Sequence, residues 1–140
     1  MTAKEYLRQI RALDKRIENV RKELESLRSD AYSVPGIRYD KDVVQGGRRH
    51  DPMVDMVSRF EEKAREMDEM ISVYIEIRSR IVKQINALDD PVHIELLYLR
   101  YIDGLTFEQI AAAMHYTERW TQILHGRALQ SFTSKFINSL

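Results

Sequence analysis

The sequence predicts an all-α fold: a long N-terminal helical hairpin or coiled coil over residues 1–89, then a C-terminal helix-turn-helix over residues 90–140. Three observations carry this. Apolar residues recur three and four apart without a miss from Ala3 to Ala31. A second stretch does nearly the same from Met53 to Leu88. Between Leu96 and Phe132 the pattern breaks into short apolar runs, each bracketed by a capping residue or a glycine.

The first helix starts at once, because Thr2 and Glu5 form a capping box. Ala3, Tyr6, Ile10, Leu13, Ile17, Val20, Leu24, Leu27 and Ala31 then make a heptad seam, with Lys, Arg, Glu and Asp between them as a solvated face. A membrane-surface helix has a broader apolar face and a basic polar one. The narrow seam and mixed charges here favour packing against another helix.

Residues 32–51 break the period with a Pro-Gly turn, a Gly-Gly pair and a short apolar island at Val43 and Val44. They read as a long connecting loop. Its basic cluster, Arg48, Arg49 and His50, reads first as a solvated hinge and second, through Arg48 and Arg49, as a phosphate contact. Asp51 and Pro52 supply an N-cap and the proline favoured at the first helical position. The helix they open carries Met53, Val57, Phe60, Ala64, Met67, Ile71, Tyr74, Ile81, Ile85 and Leu88 at heptad spacing, with Arg78 as the one break. Read to Leu88 it is on the order of 50 Å long. Met70, Val73, Ile75, Ile77 and Val82 widen its apolar face beyond what one partner helix covers, so the surplus is expected against the C-terminal unit or a second chain.

Asp90 and Pro91 repeat the cap-and-proline device and open the C-terminal unit. Leu97 and Tyr101 share a face, with Tyr98 and Ile102 beside them, and Gly104 ends that helix with a left-handed cap. Thr106 and Gln109 form a second capping box. Ile110, Ala111 and Met114 point inward from a helix of about two turns, and the small Ala111 lets two axes cross closely. His115 and Tyr116 make the turn, and Thr117 caps the next helix. There Thr121, Leu124, Ala128 and Phe132 form the packed stripe, with His125 near it, and Phe136, Ile137 and Leu140 continue it. The opposite face shows Glu118, Arg119, Gln122, Ile123, Gly126 and Arg127. A helix held this way enters a major groove, with Arg119 suited to guanine edges and Gln122 to adenine edges. Gly126 costs about 1 kcal/mol of helix propensity relative to Ala, and close approach to a DNA backbone is a use for it.

LLYLRYIDGLTFEQIA followed by HGRAL resembles region 4 of the bacterial sigma-70 type factors. The resemblance is closer to small phage proteins with such a C terminus behind a helical N-terminal half, the ArpU/RinA-type late transcriptional regulators and related uncharacterised phage proteins. It spans residues 90–129 and extends loosely to YDKDVVQGG and DPMVD upstream. The turn position where such motifs place Gly holds His115, and the buried aliphatic slot of the recognition helix holds Thr121, with Trp120 beside it as a source of apolar volume. The resemblance implies a transcriptional regulator of phage or prophage genes that binds double-stranded DNA through residues 117–127, and it admits RNA polymerase as a second partner.

The 140 residues are 44% hydrophobic, enough for a core, and contain no cysteine, so disulfides and thiolate chemistry are out. No apolar run approaches the length of a membrane span, and the charged N-terminal segment does not read as a signal peptide. A cytoplasmic protein of the bacterial host cell is the expectation. Net charge is zero: residues 1–52 carry three more bases than acids, residues 53–90 the reverse, and residues 91–140 balance. The C-terminal unit therefore lacks the basic footprint that supplies most non-specific DNA affinity, and a homodimer or a polymerase contact is expected to supply the rest. His50, His93, His115 and His125 form no metal-ligand spacing, and no phosphate loop or nucleophile elbow occurs. The expectation is no enzyme, no cofactor, no metal, no membrane and no small-molecule substrate. Two other classes fit the same pattern, a small terminase subunit and an RNA polymerase-binding adaptor without base readout.

Overall fold

The computed structural model describes residues 1–33 and 52–138. The loop features, Arg48, Arg49 and His50, the Asp51 cap and Leu140 lie outside the described residues. Among the described residues the chain is all-helical, with five helices and no strand. These are α1 (Ala3–Ser33), α2 (Pro52–Asn86), α3 (Pro91–Leu97), α4 (Phe107–Met114) and α5 (Glu118–Phe132). Helix α3 continues without a break into a π-helical turn, Tyr98–Ile102, and α5 into another, Thr133–Ile137. No helix among the described residues is long and apolar enough to cross a membrane.

The chain divides into two compact units, Met1–Asp14 with Val73–Leu140, and Lys15–Ser72. In the smaller unit Val20 is buried, and Ile17, Leu24 and Leu27 of α1 and Ala64, Met67 and Ile71 of α2 are half-buried. Lys63 bridges Glu23 at 2.8 Å and Glu66 at 3.2 Å. These pairs face solvent, which screens them, so they add little to stability. The first turns of α2 leave Met53, Val54, Val57 and Phe60 exposed.

The larger unit owns one apolar core. Ala3, Leu7 and Ile10 from α1 and Ile81 and Ile85 from α2 meet Leu96, Leu97, Tyr101, Ile102, Ile110, Leu124, Ala128 and Phe132. Of the surplus apolar residues on α2, Ile77 and Val82 pack on this core, whereas Val73 and Ile75 stay exposed. The Thr2–Glu5 box closes at 3.0 and 3.2 Å, and the Tyr6 hydroxyl donates to Gln84 Oε1 at 2.6 Å. Asp90 caps α3 by accepting from Val92 N at 2.9 Å.

The π turns set which residues reach the core. Buried pairs Leu96–Leu97 and Tyr101–Ile102 sit five apart, a spacing that drifts off one face of an α-helix but realigns when a π turn adds a residue. Asp103 N bonds Tyr98 O there, and Leu105 N bonds Leu99 O after Gly104 takes φ 72°. The second π turn acts likewise: Phe132 is buried, and both Phe136 and Ile137 return to the core, the Phe132 and Phe136 rings lying 5.0 Å apart.

Candidate nucleic-acid interface

Helices α4 and α5 and the turn between them are specified residue by residue. Thr106 accepts from Gln109 N at 3.2 Å while Gln109 Oε1 accepts from Thr106 N at 2.9 Å, completing the capping box. Helix α4 ends in a Schellman motif: Tyr116 N bonds Ala111 O and His115 N bonds Ala112 O. His115 adopts φ 62°, the left-handed conformation that glycine usually supplies. Histidine is among the residues that tolerate this region best, which accounts for it in a glycine position. Thr117 then caps α5 by accepting from Trp120 N at 3.1 Å.

The packed side of α5 is Thr121, Leu124, His125, Ala128 and Phe132. Thr121 is fully buried, and its hydroxyl donates to Thr117 O at 2.9 Å, so the polar atom is satisfied inside its own helix. Trp120 does not fill the aliphatic slot beside it; the ring is 39% exposed on the outer surface. Instead Tyr101 and Phe107 close around His125. The Tyr101 hydroxyl lies 2.7 Å from His125 Nε2, and the Phe107 ring meets the imidazole edge-on at 5.0 Å. Burial, aided by the nearby cations Arg100, Lys4 and Arg8, lowers the His125 pKa to about 4. The imidazole is neutral at physiological pH and joins α5 to α4 and to the π turn that follows α3. Burial likewise raises the Tyr101 pKa, so the phenol keeps its proton.

Thr117, Glu118, Arg119, Gln122, Ile123, Gly126 and Arg127 are all exposed, on α5 or its cap. At about 100° per residue, Arg119, Ile123 and Gly126 fall opposite the midline of the buried stripe. Glu118 and Gln122 lie on one flank, Trp120 and Arg127 on the other. Ile123 is 40% exposed at the centre of this face. A Cβ added at Gly126 would meet nothing within 4 Å, so no packing inside the protein calls for glycine there. The Arg127 guanidinium stands 5.2 Å over the Trp120 ring, an exposed cation–π contact worth about 0.5–1 kcal/mol that holds the arginine against the outer surface. The face presents polar, cationic and apolar groups around a side-chain-free patch. Among the described residues no cluster of His, Asp or Glu could hold a metal ion.

Sequence reasoning missed the neighbours of this face. In the heptad pattern Lys4, Arg8 and Arg11 of α1 belong to a solvated surface, yet α1 begins against α5. Their spacing of four and three was the available signal. Comparison with protein-family models, with curated proteins and with solved structures found no match.

Proposed function

We propose that the chain is a DNA-binding transcriptional regulator of phage or prophage genes, in which α4 and α5 act as a helix-turn-helix of sigma-70 region 4 type. The observation that carries this reading is α5 itself. It is anchored along one side by Thr121, Leu124, His125, Ala128 and Phe132 and displays Arg119, Gln122, Ile123, Gly126 and Arg127 together on the other. The outer side of its N-terminal turns, Glu118, Arg119, Gln122 and Ile123, is exposed, as a helix entering a major groove requires. Arg119 pairs with guanine, Gln122 with adenine, and Ile123 offers an apolar contact to a thymine methyl. Glu118 suits a cytosine amino group, Thr117 holds the N-terminal turn, and Arg127 reaches phosphate. A homodimer through the N-terminal helical region doubles a contact that one protomer makes weakly. Duplex selection with purified protein at low salt, followed by titrations of native and Arg119→Ala, Gln122→Ala protein, tests it. The expected result is a selected motif that the variant no longer prefers; selection without any motif overturns base readout.

A second reading has its own observation. Tyr116 in the turn before α5, and Trp120 and Ile123 on α5, are each more than a third exposed, apolar surface of the kind that docks on protein. In this reading α5 contacts RNA polymerase as an adaptor. Failure of the duplex selection, with polymerase binding abolished in Trp120→Ala, would favour it.

A further inference from the structure

The balanced charge of residues 91–140 leaves α5 without a basic surround of its own. The fold changes that, because the compact unit also contains Met1–Asp14. Lys4, Arg8 and Arg11 follow one another a turn apart on α1, and all three are exposed. Lys4 lines a shallow depression with Leu129 and Gln130 of α5. Leu129 lies on the same flank of α5 as Gln122. Lys4 and Arg8 are both near enough to His125 to favour its neutral form. The Arg11 guanidinium lies against Gly104 at the end of the π turn, where an added Cβ would come within 2.5 Å of it. Lys4 and Arg8 therefore lie along the His125–Leu129 flank of α5, and Arg11 continues their row on α1 as far as Gly104.

Their charges are little used within the protein. Among the described residues no ion pair forms at Lys4 or Arg8, and Arg11 reaches only Asp14, at 3.6 Å and in solvent. The nearest acid in sequence, Glu5, is engaged in capping Thr2. Arg100 belongs to the same neighbourhood but serves the structure, donating to Leu105 O at 2.9 Å and lying 4.2 Å over the Phe107 ring. A row of weakly engaged cations beside a surface that reads bases is where a duplex presents its phosphates.

We infer that the Lys4–Arg8–Arg11 edge of α1 is a phosphate-backbone contact that flanks α5 and supplies the basic footprint missing from residues 91–140. The inference rests on the DNA-binding reading of α5. Contacts of this kind raise affinity for all sequences alike and release counterions, whereas α5 discriminates among sequences.

The test is the salt dependence of duplex binding for the full-length protein. Native protein, a Lys4→Gln, Arg8→Gln variant and the Arg119→Ala, Gln122→Ala variant are titrated against the selected and a scrambled duplex across a salt series. Removing one phosphate-binding cation makes the slope of log K against log salt shallower by about 0.9. The α1 variant should show that change for each of its two positions on both duplexes, with the ratio of selected to scrambled binding unchanged. The α5 variant should lose the ratio. A Lys4→Arg, Arg8→Lys variant should restore the slope, which separates charge from fold. An α1 variant that keeps the native slope overturns the inference and leaves the reading of α5 intact. If native protein binds neither duplex at the lowest salt, the inference and the reading of α5 both fail.

Discussion

Replacing Gly126 by alanine separates the helix from its function. Gly126 sits inside α5 with an ordinary negative φ, and its missing side chain faces open space. The substitution therefore adds no clash and removes only the entropic penalty of glycine, which should stabilise the protein by about 1 kcal/mol. For a chain of this length that corresponds to a rise in melting temperature of about 3 °C, measurable by thermal unfolding followed by circular dichroism. Binding should move the opposite way. If glycine is present so that α5 can approach a duplex closely, the new methyl stands between helix and DNA. Crowding of this size costs about 1–3 kcal/mol, or about five- to over a hundredfold in Kd. Titration of the selected duplex by anisotropy reads this. A lower melting temperature would refute the placement of Gly126 in an open helical site. A stabilised variant that binds DNA as tightly as the native protein would refute close approach as the reason for the glycine.

Other outcomes follow from the same geometry. His125 has a folded-state pKa of about 4 against an ordinary 6.5, so the unfolded chain takes up the proton first. Its contribution to stability is complete above about pH 6.5 and is lost as the pH falls toward 4, by on the order of 3 kcal/mol. Histidine NMR titration should find His125 neutral at pH 5.5, and titration near 6.5 would contradict the burial argument. His115→Gly should leave stability unchanged or raise it by up to about 1 kcal/mol, and His115→Val should lower it by about 1–2 kcal/mol, because a β-branched residue fits φ 62° poorly; denaturant unfolding decides. Thr121→Val should stay within about 1 kcal/mol of native, since Thr121 N still bonds Thr117 O at 3.0 Å after the hydroxyl is gone. Phe132→Ala should cost about 3–5 kcal/mol, given that the ring is fully buried and lies 5.9 Å from Tyr6 and 5.0 Å from Phe136; a cost under 1 kcal/mol would mean the core is not centred there.

Local chemistry was legible in the residues themselves. The boxes at Thr2–Glu5 and Thr106–Gln109, the caps at Asp90 and Thr117, and the left-handed Gly104 are each decided within three or four residues. The two faces of α5 were legible for the same reason: burial of Thr121, Leu124, Ala128 and Phe132 follows a helical period. The π turns were not, because the LLYLRYI run satisfies an α-helical stripe through Leu97 and Tyr101 almost as well as a five-residue one. Nor was the place of Trp120, whose apolar ring suits a buried slot but is exposed on the outer surface.

By itself, then, the sequence determined the all-helical class, most helix ends and the side of α5 that is free, since each depends on hydrogen bonds and periodicity within a few residues. Only the tertiary structure decided what those pieces form together. The core of the larger unit takes Leu7 and Ile10 from one end of the chain and Ile81 and Ile85 from its middle. That packing buries His125 neutral against Tyr101, sets Lys4 and Arg8 beside α5 and lays Arg11 against Gly104. Burial and long-range charge depend on which distant segments share a core, and no local pattern in the chain encodes that choice.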